Sequence, residues 1–456
     1  MNFSATQIAA ATGGVVIRGA LVGPVLTDTR DITHGAWFLA IVGERFDAHQ
    51  FLQDAISSGA LGLIVDRRVT VPDNVAVVQV TDTTRAFQDL GCAARARLSG
   101  PVVGLTGSSG KTTTRALVSL ALSPLGSVYQ TYGNLNNHFG VPMTLTKAPE
   151  GAAVSVIEMG TSSPGEIGLL EKIATPDVRL IVNVGPAHLL ELGGLAGVAK
   201  EKGALFAGAR QGDTLIVNLD DTHVSRIPRP PGTNIVTYGR DPRATICITG
   251  VDVQMDQFAT TAHYIVDGVE HAVTIPAPGE HIAHNAGAAI AVAYALKVKT
   301  EDAVSALEQY EPVGMRLAMS TLENGVRVIN DAYNANPDSV RASLQLLGSA
   351  KGRTVAVLGD MLELGVDEQV WHDRVAKYAS EIAIDLVVFV GERMSRAAPH
   401  YNNASETIVS GVREGVAEKL LAWLQKGDTV LFKGSRGSRM ESILEELKET
   451  LCSTHS

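Results

Sequence analysis

The sequence predicts an α/β protein of several domains built on parallel sheets, and three observations carry that expectation. Short, strongly apolar runs alternate with helical patterns over much of the chain. Strands interleaved with helices build parallel sheets that receive ligands at the carboxyl ends of their strands. The chain has 456 residues, 45% hydrophobic and 19% charged, more apolar material than one ordinary core absorbs, so about two to four domains are expected. One apolar run breaks directly into a glycine-rich turn and then a helix, at Gly107-Ser-Ser-Gly-Lys111.

The elements follow in order. Pro101–Thr106 reads as a strand, and apolar spacings of three and four predict a helix from Thr112 to about Leu122. Val154–Ile157, Val178–Val182 and Thr214–Val217 read as buried strands, and helical patterns cover Asn285–Ala295 and Glu301–Leu307. Beyond Gln309-Tyr-Glu-Pro-Val-Gly314 the alternation restarts, with strands at Val326–Ile329, Val355–Leu358, Leu386–Val390 and Thr429–Phe432. That segment and Leu98-Ser-Gly-Pro101 divide the chain into three expected domains, 1–99, 100–312 and 313–456.

Composition narrows the function. A formal net charge of -10 and 5% aromatic residues argue against a nucleic-acid partner, which calls for a basic face and stacking platforms. Cys92, Cys247 and Cys452 are scattered singletons with no metal-ligand spacing, as suits a reducing compartment. Met1–Gly14 lacks a basic flank and a continuous apolar stretch, so no secretory signal is expected. No apolar run reaches the roughly 18–20 residues that cross a bilayer. A soluble, cytoplasmic protein without membrane insertion is the expectation, and a monomer is assumed.

Gly107-Ser108-Ser109-Gly110-Lys111-Thr112-Thr113 is the strongest local signal. Its glycines let backbone amides face phosphate oxygens, and the following helix adds its positive end. Lys111 suits the outer phosphates and Thr112 suits a magnesium ion. Leu105 stands where the general phosphate-loop pattern has its first glycine. By itself the loop leaves kinase, GTPase, motor and ligase open.

Gly104–Thr113 is similar to the loop of the Mur ligases and folylpolyglutamate synthetases, a family that tolerates the missing glycine. The likeness continues through Gly133-Asn-Leu-Asn-Asn-His-Phe-Gly-Val-Pro142, Glu158-Met-Gly-Thr161, Asn183-Val-Gly-Pro-Ala-His188 and Lys202-Gly-Ala-Leu-Phe206. In the last third it runs through Asp331–Ser339, Leu358-Gly-Asp-Met-Leu-Glu-Leu-Gly365 and Phe432-Lys-Gly-Ser-Arg436. Near the start, Asp28-Thr-Arg30 and Gly43-Glu-Arg-Phe-Asp47 resemble the family's uridine-nucleotide domain. The resemblance thus implies a uridine-nucleotide-binding α/β domain, a central parallel-sheet phosphate-loop ATPase domain and a C-terminal Rossmann-like domain.

The same resemblance implies a reaction: ATP activates a carboxylate as an acyl phosphate, which an amine attacks. The motif combination is most similar to the branch that adds D-Ala-D-Ala to a UDP-muramoyl tripeptide, in peptidoglycan precursor synthesis. Residue by residue, it implies that Thr112, Glu158, His188 and Lys202, the last as a carbamate, hold two magnesium ions. Asn285 would face the adenine, Asp331 the ribose, and Arg316 the terminal phosphate after domain closure. Thr29 and Arg30 would hold the uridine phosphates; Asn134, Asn137 and Thr161 the muramoyl or peptide portion; Asn336, Asp338, Lys433 and Arg436 the D-Ala-D-Ala. Each has a plainer alternative: an ion pair for Glu158, Arg316 and Asp331, a solvated lysine for Lys202, a helix start for Asn285, turns for Asn134 and Asn137, and a strand-end cap for Lys433 to Arg436. Leu190, Ala204, Asn330 and Ile282 depart from the usual family forms. The rival readings are a sister ligase adding another amino acid or glutamate, and a catalytically silent relative acting as a binding subunit; the latter should lack Lys111, Glu158 or His188, and all three are present.

Overall fold

A computed structural model describes residues 1–43, 46–403 and 405–454. Glu44 and Arg45 of the Gly43–Asp47 motif lie outside the described residues. Three larger sheets follow one another along the chain. The first has five strands in the order Val15–Arg18, Ala76–Gln79, Gly62–Val65, Trp37–Leu39, Val25–Leu26, parallel except for the first. The third has six, in the order Ala318–Thr321, Arg327–Asp331, Thr429–Lys433, Thr354–Gly359, Leu386–Val390, Glu406–Ser410, again with only the first antiparallel.

The nine-stranded central sheet holds the phosphate-loop strand Val102–Thr106 between Val154–Glu158 and Val178–Ile181. Every residue of these three strands is buried, as strands covered on both faces require. The sheet is parallel, as expected, from Val128–Gln130 through to Ile246–Gln254. Ile246–Gln254, Ala259–Val266 and Val269–Ile275 form an antiparallel meander at one edge. Asp267 and Gly268, both at positive φ (50° and 80°), make its last turn, the two-residue geometry that Asp-Gly favours. Mixed Thr, His and Glu on these half-exposed strands conceal them from a search for apolar runs.

The cores do not respect the sheet order. Phe3, Trp37 and Phe87 belong to one continuous apolar cluster with Val141, Ile167 and Phe206, because the helix Thr83–Arg95 packs on Gly140–Lys147 and Glu166–Ala174. At the opposite end the meander reaches into the third sheet's core. Met255, 6% exposed at the turn between its first two strands, packs in a cluster with Leu317, Ile329 and Leu344. Asp256 beside it pairs with Lys351 at 2.6 Å and Arg327 at 3.5 Å.

Candidate active site

Gly110 sits in the left-handed region (φ 73°) just before the helix Lys111–Ala121. A Cβ there would lie 3.3 Å from the Asn285 Oδ1, so the backbone conformation and the neighbour both favour glycine. Lys111 Nζ folds back to donate to the Gly107 carbonyl at 2.7 Å. Burial pushes its ammonium pKa down, opposed by Glu158 and reinforced by Arg316. The loop is braced on the next strand's end: Asn183 Oδ1 accepts from the Ser109 amide at 3.0 Å, and Ser108 Oγ donates to the Gly185 carbonyl at 2.9 Å.

Glu158, 2% exposed, ends the adjacent strand. Its carboxylate accepts from Thr112 Oγ1 at 3.0 and 3.3 Å, from Arg115 Nη1 at 3.0 Å and from Asn136 Nδ2 at 2.8 Å. Hard oxygens from a hydroxyl and a carboxylate suit magnesium, which typically takes one or two protein carboxylates and completes its shell with phosphates and water. Among the described residues there is no group of three or more His, Cys, Asp or Glu able to hold a metal alone. Thr112 and Glu158 therefore fit a nucleotide-borne magnesium and not a closed protein cage.

The third sheet supplies the opposite wall. Asp331 ends the strand Arg327–Asp331 and pairs with Lys433 Nζ at 2.6 Å, while also accepting from Ser343 Oγ at 2.7 Å. The Arg316 guanidinium lies 3.6 Å from the Tyr333 ring centroid. His188, itself left-handed at φ 52°, places Nδ1 3.1 Å from Glu363 across the gap. A Cβ on Gly185 would come 2.4 Å from Asp338 Oδ2. The two walls enclose a cavity of about 730 Å³.

Of the expected site residues, Ser108, Ser109, Gly110, Lys111, Thr112, Thr113, Asn134, Asn137, Glu158, Thr161, His188, Asn285, Arg316, Asp331, Asn336, Asp338 and Lys433 line it. Several are engaged within the protein itself, Asn137 in the turn and Asp331 in the ion pair that were the plainer alternatives. Asn285 is not a helix start, since its helix, Glu280–Ala295, begins at Glu280. Asn336 caps the helix Pro337–Gly348, and Asn137 accepts from the Phe139 and Gly140 amides. Lys433 faces a carboxylate of its own chain and donates to the Asn334 carbonyl at 2.9 Å.

Thr29, Arg30 and Arg436 stand apart from this cavity. Arg30 is exposed and pairs with Asp28, and Arg436 is exposed and pairs with Glu441 at 2.9 Å. Lys202 is 3% exposed on the helix Leu195–Ala207 and does not line the cavity either. Burial first, then the charge of Lys111, holds its pKa well below the usual lysine value. Its neighbour Glu201 accepts from the Gly165 and Ile167 amides at 2.7 Å each.

Arg115, Asn136, Asn183, His281, Tyr310 and Glu363 escaped the sequence reading. Arg115 lies one helical turn beyond Lys111, and Asn136 sits between two asparagines already singled out, so spacing offered a signal for both. Glu363 had none beyond its motif.

Comparison with known proteins agrees with this geometry. Residues 105–293 match the Mur ligase middle domain and residues 315–436 the Mur ligase glutamate ligase domain. The UDP-N-acetylmuramoyl-tripeptide–D-alanyl-D-alanine ligase of Bacillus subtilis is 34% identical over 95% of this chain and 97% of its own length. The Escherichia coli protein of the same name is 34% identical over 93% of each. Among solved structures, MurF from Acinetobacter baumannii superposes with a TM-score of 0.91 at 32% identity, covering 98% of this chain and 99% of that one. The MurF ligase of Thermotoga maritima in complex with ADP gives 0.84 at 27% identity, covering 95% and 98%. A braced phosphate loop, a carboxylate beside its threonine and a second lobe closing the pocket thus coincide with likeness along nearly the whole chain, and the chain belongs to the Mur ligase family.

Proposed function

We propose that this chain is an ATP-dependent ligase that joins D-alanyl-D-alanine to a UDP-N-acetylmuramoyl tripeptide, releasing ADP and phosphate. The observation that carries the reading is the cavity between two sheets, with Lys111, Thr112 and Glu158 on one wall and Arg316 and Asp331 on the other. Near-full-length likeness to ligases of that name selects the substrates. No helix among the described residues is long and apolar enough to cross a membrane, and we assign the reaction to the cytoplasm.

In this reading a tripeptide carboxylate oxygen attacks the γ-phosphorus, the bond to ADP breaks, and an acyl phosphate forms. The D-Ala-D-Ala amine then attacks the acyl carbon, phosphate leaves, and the ammonium proton passes to solvent. The protein's role is positioning and charge neutralisation. The loop amides and Lys111 receive the phosphates; Asn285 and Asp331 receive the nucleoside; Arg316 approaches the transferred group. Thr112 and Glu158 would hold magnesium, whose charge cancels repulsion between phosphate and carboxylate. Asn134, Asn137 and Thr161 would meet the acyl substrate, Asn336 and Asp338 the incoming dipeptide, and Thr29 and Arg30 the uridine phosphates.

We further assign a carbamate to Lys202, holding a second ion with His188. A buried amine whose charge is disfavoured is the form that adds carbon dioxide. Native mass measurement of Lys202, and rescue of Lys202→Ala by short-chain acids, test it; unrescued Lys202→Ala at full activity refutes it. For the reaction itself, phosphate release is measured with UDP-muramoyl tripeptide, ATP and each candidate amine. Release dependent on D-Ala-D-Ala supports the assignment, and turnover confined to another amine refutes it.

A further inference from the structure

The loop between Gly133 and Gly140 borders the cavity and also bonds to Glu158, which lines the same cavity. Asn134, Asn136, Asn137 and His138 line the cavity. Asn136 Nδ2 donates to Glu158 Oε1 at 2.8 Å, and its backbone carbonyl accepts from the Gly160 amide at 2.8 Å. Arg115 ties the same loop to the same carboxylate, since Nη1 donates both to Glu158 Oε2 and to the Gly133 carbonyl, each at 3.0 Å. The loop is stiffened internally by Asn137 Oδ1, which accepts from the Phe139 and Gly140 amides, and by the Val141 amide bonding to the Asn137 carbonyl. Glu158 therefore cannot change orientation without breaking a bond to this loop, and the loop cannot shift without pulling on Glu158.

We infer that Asn136 is a positioning residue that couples occupancy of the Asn134–His138 face to occupancy of the cation site at Glu158. This rests on the functional reading above, in which the acyl substrate meets that face. A ligand seated there holds the loop in place; Asn136 then holds the carboxylate in one orientation, and the cation meets a preformed partner. Coupling of this kind is reciprocal: the cation must tighten the acyl substrate by the same factor.

The test uses the full chain with ADP and titrates Mn²⁺ by the loss of its free paramagnetic signal, with and without UDP-N-acetylmuramoyl tripeptide. Direct calorimetry follows tripeptide binding alone. In the unaltered protein the tripeptide should tighten Mn²⁺ by about tenfold, within the usual range of site–site coupling. In Asn136→Ala the factor, measured with the site saturated by tripeptide, should fall to about one. Asn136→Leu keeps much of the size, loses the donor without adding charge and should uncouple likewise, which covers an alanine variant that fails to fold. Gly160→Ala places a Cβ 2.8 Å from Asn136 Oδ1 and should weaken the coupling with Asn136 still present. Undiminished tightening in the Asn136 variants, or none in the unaltered protein despite tripeptide binding, overturns the inference. A tripeptide that does not bind the unaltered protein at all overturns the functional reading, and the coupling with it.

Discussion

Replacing Lys433 with methionine separates two roles that one lysine at the cavity wall could have. Its ammonium lies 2.6 Å from Asp331, with the two side chains 3% and 12% exposed. At that distance the gross Coulomb attraction is about 6 kcal/mol for an effective dielectric near 20, before the desolvation of both charges is subtracted. Methionine keeps the volume but leaves the carboxylate only Ser343 Oγ and the Leu317 amide as donors. An uncompensated buried charge costs about 3–5 kcal/mol, and the cavity beside this one argues for the lower end. For a unit of this size, about 3 kcal/mol corresponds to a fall of roughly 10 °C in the melting temperature of the third lobe. Differential scanning calorimetry on Lys433→Met, Asp331→Asn and the double variant completes a cycle. The reasoning requires the double variant to recover most of the loss. If the two single effects are each under about 1 kcal/mol, or simply add, the pair is not the internal staple described here.

Other outcomes follow from the same geometry. Gly110→Ala forces a side chain into the left-handed region beside Asn285, at about 1–2 kcal/mol; calorimetry should record a roughly tenfold loss of ADP affinity, and unchanged affinity contradicts the loop geometry. Burial depresses the His281 pKa to about 4, so the neutral ring's stabilising contribution is present above pH 6.5 and disappears as pH falls towards 4. His281→Asn should therefore lose less stability than the parent between pH 7.5 and 4.5, by about 2 kcal/mol in denaturant titrations; parallel pH profiles refute this. Arg30 holds the Asp28 carboxyl down to about 2, a small surface contribution present at neutral pH and lost only in strong acid. Arg30→Ala should return that titration towards the ordinary aspartate range by NMR, and no movement excludes the pairing.

The sequence exposed some features because their cause is local. Strands such as Val154–Glu158 and Leu386–Val390 are buried at every residue, so short runs dominated by β-branched and other apolar residues reveal them. The phosphate loop is legible because a tight turn before a helix needs glycine at Gly110. The antiparallel meander was missed because its alternation is diluted by polar residues on an open face, although Asp267-Gly268 did mark a hairpin. The site's internal bonding is a tertiary matter. Asn136 and Arg115 reach Glu158 from 22 and 43 positions away. Lys433, expected at the D-Ala-D-Ala pocket or as a strand-end cap, sits opposite Asp331 because adjacent parallel strands set Asp331 and Lys433 in register.

Met255 gives the molecule a further property. Because a finger of the middle lobe is packed into the tail lobe's core, cutting the polypeptide near residue 313 would uncover apolar surface on both fragments. The tail fragment would present an unfilled apolar socket beside Leu317 and Ile329. Fragment exchange at this joint therefore has to transplant the finger together with the lobe that grips it.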